Sequence, residues 1–238
     1  MKENILQSKL DKLFDEWEVA VAACPEIPAE IKECFVRDGF YPGYLNQKCK
    51  VLFVARESLS VEGDYIKEVF DAYKSKRVGD KNINQYQFHA LMMYIAYALN
   101  NNCFDWNSIP WAEKLCETFG TPSGLSFAFM NLSKFSNWSE SNWQSNWNLI
   151  NSSLKVSGND SFIKQEIELL DPDVIITMNL DGNLSYLGEM RKVLNTTDIN
   201  KYAYKVNGKE IPLYDMWHFS APSKSPRGNY LEPLSKLV

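Results

Sequence analysis

Lys50-Val51-Leu52-Phe53-Val54-Ala55-Arg56-Glu57-Ser58 decides how the rest of the chain is read. Five apolar residues in a row, rich in β-branched and aromatic types, have the pattern of a strand buried on both faces, as in a parallel sheet covered by helices. The run stops at two charges. In open α/β sheets the carboxyl ends of the strands are where ligands sit, so Arg56 and Glu57 are either site residues or a salt-bridged strand end.

Working outward, three more apolar runs have the same character. Leu125 to Met130 ends at Asn131, Val174 to Met178 ends at Asn179, and Ile211 to Met216 runs into Trp217-His218. Helical patterns separate them. Tyr65 to about Lys76 follows a Glu-Gly-Asp turn, Gln85 to Leu99 is apolar and uncharged, Ser161 to Leu170 is amphipathic, and a further helix is expected over 184–194. Asp171-Pro172 ends the third of these, because proline disfavours helix in the residue before it. Asn207-Gly208 is a two-residue hairpin signal, so Tyr202–Val206 is expected to pair antiparallel with Ile211–Met216. The alternation predicts an α/β fold: a three-layer α/β/α sandwich around a mostly parallel four-stranded sheet. Residues 1–45, with Ile5, Leu10, Leu13, Phe14 and Trp17 at helix spacing, form a helical N-terminal extension on a core domain of residues 46–238.

Composition limits the function. The chain has 238 residues, 45% hydrophobic and 13% aromatic, enough for a sizeable core, and no apolar run approaches the roughly 20 residues that span a bilayer. Its N-terminus is charged and amphipathic, unlike a secretion signal. Five cysteines without a CxxC pair fit reduced thiols in a cytoplasmic compartment, and neither a metal nor a cofactor site is expected. With a net charge of −5, any contact with nucleic acid must use a local basic patch. No GxGxxG, Walker, HExxH or GxSxG motif occurs. His89, inside an apolar helix, reads as a packing residue, and Trp138, Trp143 and Trp147 as packing or, beside a site, a stacking surface.

The order of the strand-end motifs resembles the uracil-DNA glycosylase superfamily in a divergent form. Val51 to Glu57 is similar to the strand and loop that carry a water-activating residue, and Phe129-Met-Asn131-Leu-Ser-Lys134 to the strand ending in a base-reading asparagine. Leu170-Asp-Pro-Asp-Val-Ile-Ile-Thr177 resembles the third motif, and Trp217-His-Phe-Ser-Ala-Pro-Ser223 the loop that grips phosphate. The resemblance covers roughly residues 50 to 228. It implies Glu57 and His218 as catalytic groups, Asn131 and Arg56 on the base, and Lys134, Ser220, Ser223, Lys224 and Arg227 on phosphate. The expected activity is then excision or recognition of a modified base in DNA, another nucleic acid or a nucleotide, by hydrolysis of an N-glycosidic bond. A non-catalytic base-binding module and a small-molecule hydrolase are the alternatives. The chain departs from the family at two places: Arg56-Glu57-Ser58 replaces the usual first-motif pattern, and Phe219 stands where the family has proline. No cysteine quartet for an iron–sulfur cluster is present.

Overall fold

The computed structural model describes residues 2–137, 145–158 and 162–238. In chain order the elements that build the fold are α1 (Lys2–Ala23), β1 (Gly39–Phe40), β2 (Val51–Ala55), α2 (Tyr65–Lys74), α3 (Gln87–Asn101) and β3 (Ala128–Asn131). They continue with α4 (Trp147–Gly158), α5 (Phe162–Leu170), β4 (Val174–Met178), β5 (Met190–Asn195), β6 (Ile199–Val206) and β7 (Lys209–Met216).

Among the described residues the main sheet has seven strands, in the order β1-β3-β2-β4-β7-β6-β5, not four. The four apolar runs form its parallel middle: β2 pairs in parallel with β3 and with β4, and β7 pairs in parallel with β4. Antiparallel strands extend both edges, β1 beside β3 on one side and the β7-β6-β5 meander on the other. The β6–β7 hairpin turns at Asn207-Gly208, both at positive φ (49° and 75°), the backbone that a tight two-residue connection demands.

The expected helix over 184–194 does not form. A short 3-10 turn at Asp181–Leu187 gives way to β5, an edge strand exposed along most of its length. Gly188 sits at φ 140°, which a helix excludes, with the Tyr204 ring against it, so the chain leaves the turn extended and is captured by β6.

Alternation along the central strands sends side chains to opposite faces. Val51, Phe53, Phe129, Ile176 and Met216 pack beneath α2 and α3, while Leu52, Val54, Met130, Ile175 and Leu213 pack beneath α1, α4 and α5. The N-terminal helix is built into this second layer: Leu10, Leu13, Phe14 and Trp17 are buried as expected, with Leu6 on that face and Ile5 exposed. Residues before position 46 also supply β1 and the buried Asp38, so the first 45 residues share the core of the rest. Helix α2 starts at Asp64, whose carboxylate accepts the Lys67 N–H at 2.9 Å. Among the described residues no helix is long and apolar enough to cross a membrane.

Candidate functional site

Because the central strands are parallel, their carboxyl ends lie along one edge of the sheet, and a cavity of about 710 Å³ opens there. Arg56 and Glu57 follow β2, Asn179 follows β4 and His218 follows β7; all four line it. Its other walls come from α2 (Tyr65, Val69), from the entry to α3 (Tyr86, Phe88, His89) and from the turn at Ser220 to Pro222.

Arg56 is spent on architecture. Its Nε and Nη2 donate to the Asn179 carbonyl at 3.1 and 2.8 Å, and its Nη1 donates to Ser145 Oγ at 3.0 Å. The guanidinium also lies 5.1 Å from the Trp147 ring centre. Asn179 takes the left-handed conformation, φ 57°, as the chain leaves β4 beside the arginine. Burial lowers the Arg56 pKa, opposed by the charges of Glu57 and Asp215.

Glu57 is anchored from the opposite side. Its carboxylate accepts the Asn146 N–H at 3.0 Å and the Asn137 amide at 3.3 Å. Asn146 in turn caps α4 by accepting the Leu149 N–H at 3.2 Å, so the carboxylate sits at the positive end of that helix. Burial raises the Glu57 pKa, while Asn146, Asn137 and Arg56 pull it back down.

His218 has a defined tautomer. Its Nδ1 accepts the Ser220 N–H at 3.2 Å, which leaves the ring proton on Nε2. Burial, and then the neighbouring Arg56, push its pKa down to about 4, so at neutral pH the ring is an uncharged donor. The loop is pinned through the His218 carbonyl, which accepts the Ala221 N–H at 2.8 Å and the Tyr230 hydroxyl at 2.9 Å.

Two of the residues expected at this site are taken elsewhere. Asn131 is fully buried at the end of β3 and outside the cavity wall; its backbone N–H and side-chain amide both donate to Asp38, at 2.6 and 3.4 Å. Lys134 is also fully buried, in the layer beneath α1. Its ammonium bonds to Asp38, lies 2.8 Å from Glu166, and rests 5.3 and 5.6 Å from the rings of Trp17 and Phe14. Burial alone would lower the lysine's pKa, but Asp38 and Glu166 together raise it above the ordinary value. Burial also drives the Glu166 pKa well above the carboxylate range. One cation and one carboxylate then balance, and the second carboxyl keeps its proton.

The cations of the last loop do not gather at the cavity either. The Lys224 ammonium sits 4.0 Å over the Trp217 ring, and the exposed Arg227 donates to Glu232 at 2.6 Å. Ser220 lines the cavity, whereas Ser223 is an exposed residue outside its wall. Trp138 and Trp143 lie outside the described residues, and Trp147 is the member of that cluster seen beside Arg56.

His89 is the residue that the sequence pattern hid. The chain has two histidines, and both line this one cavity. His89 is buried among Tyr73, Tyr86 and Phe88, its Nδ1 is 2.9 Å from the Tyr73 hydroxyl, and burial lowers its pKa to about 4. The five cysteines are free thiols, and among the described residues no cluster of histidine, cysteine and carboxylate side chains is arranged to hold a metal.

What the fold and site define is an α/β protein with an aromatic-walled cavity at the carboxyl edge of its parallel strands, whose described wall residues include two carboxylates (Glu57 and the exposed Glu68), one arginine and two uncharged histidines. No family model, curated protein or solved structure matches the chain.

Proposed function

We propose that this cavity takes a nucleobase still joined to its sugar, and that the protein hydrolyses the N-glycosidic bond between them. The observation that carries the proposal is the meeting of Glu57 and the neutral, Nε2-protonated His218 on one aromatic-walled cavity. Breaking this bond leaves positive charge on the sugar and negative charge on the departing base. A half-buried carboxylate beside the sugar stabilises the first and orients the attacking water. An uncharged N–H donor aimed at a base carbonyl stabilises the second, and burial makes that donor more effective than it is in water. Water supplies hydroxyl to the sugar carbon, and its proton ends on the released base. Tyr65, Tyr86 and Phe88 line the cavity and supply the aromatic surface that a planar ligand packs against.

A non-catalytic binding module is the second reading, and one observation favours it. The Glu57 carboxylate already accepts from Asn146 and Asn137 and thereby holds the start of α4. Chromatography separates the two readings. Purified protein is incubated with nucleosides and with oligonucleotides carrying uracil and other modified bases, and free base is quantified. Hydrolysis requires base release by the wild type that falls at least about a hundredfold in Glu57→Gln. Binding without release from any substrate establishes the module instead.

A further inference from the structure

His89 sits on the cavity wall with one ring nitrogen held and the other unclaimed. Tyr73 is fully buried, and its hydroxyl faces Nδ1 at 2.9 Å. A phenol is a stronger donor than a neutral imidazole, and an unprotonated ring nitrogen is a stronger acceptor than a phenol oxygen, so the Tyr73 proton points at Nδ1 and the imidazole proton resides on Nε2. Burial raises the Tyr73 pKa well above its ordinary value and lowers that of His89, which keeps both partners in these neutral forms. His218 reaches the same state by a different route, through the Ser220 N–H. Neither Nε2 has a protein partner among the described residues. Both imidazole rings lie close to Phe88, with centroids 5.2 and 5.9 Å from it, so the two unclaimed N–H groups border one aromatic surface.

The charges around the cavity point to the kind of ligand. Arg56 is the one cationic side chain among the described wall residues, and three of its five N–H groups are already bonded to Asn179 and Ser145. Glu57 lines the wall, and the exposed Glu68 stands on it as well. A phosphate entering here would meet two carboxylates against the single, already engaged guanidinium of Arg56, whereas a neutral acceptor would meet two free imidazole donors.

We propose that His89, oriented by Tyr73, is a second ligand-reading residue, and that the cavity selects an uncharged, acceptor-bearing base or nucleoside over its phosphorylated form. The proposal rests on the base-binding reading of the cavity and narrows it to a substrate class.

Calorimetry with uridine, cytidine, adenosine, guanosine and their 5′-monophosphates tests it, using wild type, Tyr73→Phe and His89→Leu. At least one nucleoside is expected to bind at least about tenfold more tightly than its monophosphate, with both variants weakening that nucleoside about tenfold, the loss of roughly one hydrogen bond to a ligand. Imidazole nitrogen NMR on the wild type needs no variant. It is expected to find His89 and His218 both as Nε2–H tautomers at neutral pH, with the His89 Nε2 resonance shifting as the bound nucleoside is titrated in, a change that a packing role alone would not produce. Equal affinity for nucleoside and monophosphate, an Nδ1–H tautomer at His89, or unaltered binding in both folded variants overturns the proposal. If nucleosides bind but the His89 and Tyr73 variants are silent, only this inference falls. If no nucleoside binds the wild type, the base-binding reading falls with it.

Discussion

Replacing Lys134 by alanine separates the account given by the structure from the one suggested by the strand-end motif. The lysine is completely buried, with its ammonium against Asp38 and Glu166 and its position over Phe14 and Trp17. Removing it leaves the Asp38 carboxylate buried with only uncharged donors, the Asn131 N–H and amide and the Glu166 carboxyl, and with no compensating cation. Breaking a buried pair in this way costs about 3–5 kcal/mol, a large fraction of the roughly 5–15 kcal/mol that holds a typical domain folded. Glu166→Gln is the matching control. Because burial favours the protonated form of the Glu166 carboxyl, an amide of the same shape keeps the group uncharged, and the expected effect is within about 1 kcal/mol. Urea denaturation reports both, with Trp17 close enough to the ammonium for its fluorescence to register the local environment. The midpoint is expected to fall sharply for Lys134→Ala at an unchanged slope, and to stay near wild type for Glu166→Gln. A Lys134→Ala protein that keeps its midpoint within about 1 kcal/mol of wild type while losing affinity for a phosphate-bearing ligand would refute the buried placement.

Other substitutions probe other parts of the account. The folded-state pKa of His89, about 4, lies below its ordinary value of 6.5, so between these limits the unfolded chain binds a proton that the folded chain does not. This contribution is complete above pH 6.5 and is lost as pH falls to 4. The stability difference between wild type and His89→Leu, followed by urea denaturation, is expected to shrink by about 3 kcal/mol over that interval. Glu57→Gln is expected to lower stability by about 0.3–1 kcal/mol at low salt through its lost charge at the start of α4, checked by thermal melting at low and high ionic strength. Gly124→Ala would place a methyl group 1.6 Å from the Thr118 carbonyl oxygen, and an expected loss of at least about 1–3 kcal/mol is measurable as a shift in melting temperature.

The parts of the fold carried by short-range patterns were legible in the chain. Val51–Ala55 is a strand buried along its whole length, Asn207-Gly208 turns a hairpin, and Asp64 caps a helix, each from residues within a few positions of one another. The edge strand at Met190–Asn195 was not legible, because its apolar residues mimic a helix face and pairing with β6 is a tertiary effect. The same limit governs the site. Arg56, Glu57, Asn179 and His218 meet because parallel strands share an edge, which the alternation implied. Asn131 and Lys134 do not join them, because Asp38, more than ninety positions away in sequence, draws both into the layer below. No local signal at Lys134 distinguishes a surface lysine from a buried one with two carboxyl partners. His89 shows the converse: an apolar helix buries most of its residues, but α3 meets the sheet where the cavity opens, and that crossing is fixed by packing.

The central claim is that a base-bearing ligand occupies the cavity bordered by Glu57, His89 and His218. Amide and imidazole NMR of the labelled protein, recorded while uridine, cytidine, adenosine and guanosine are titrated in, tests it most directly. For at least one nucleoside, saturable shifts are expected at Arg56, Glu57, Phe88, His89, Asn179 and His218, leaving Asn131 and Lys134 in place. Shifts centred on any other surface, or none with any nucleoside at millimolar concentration, would contradict it.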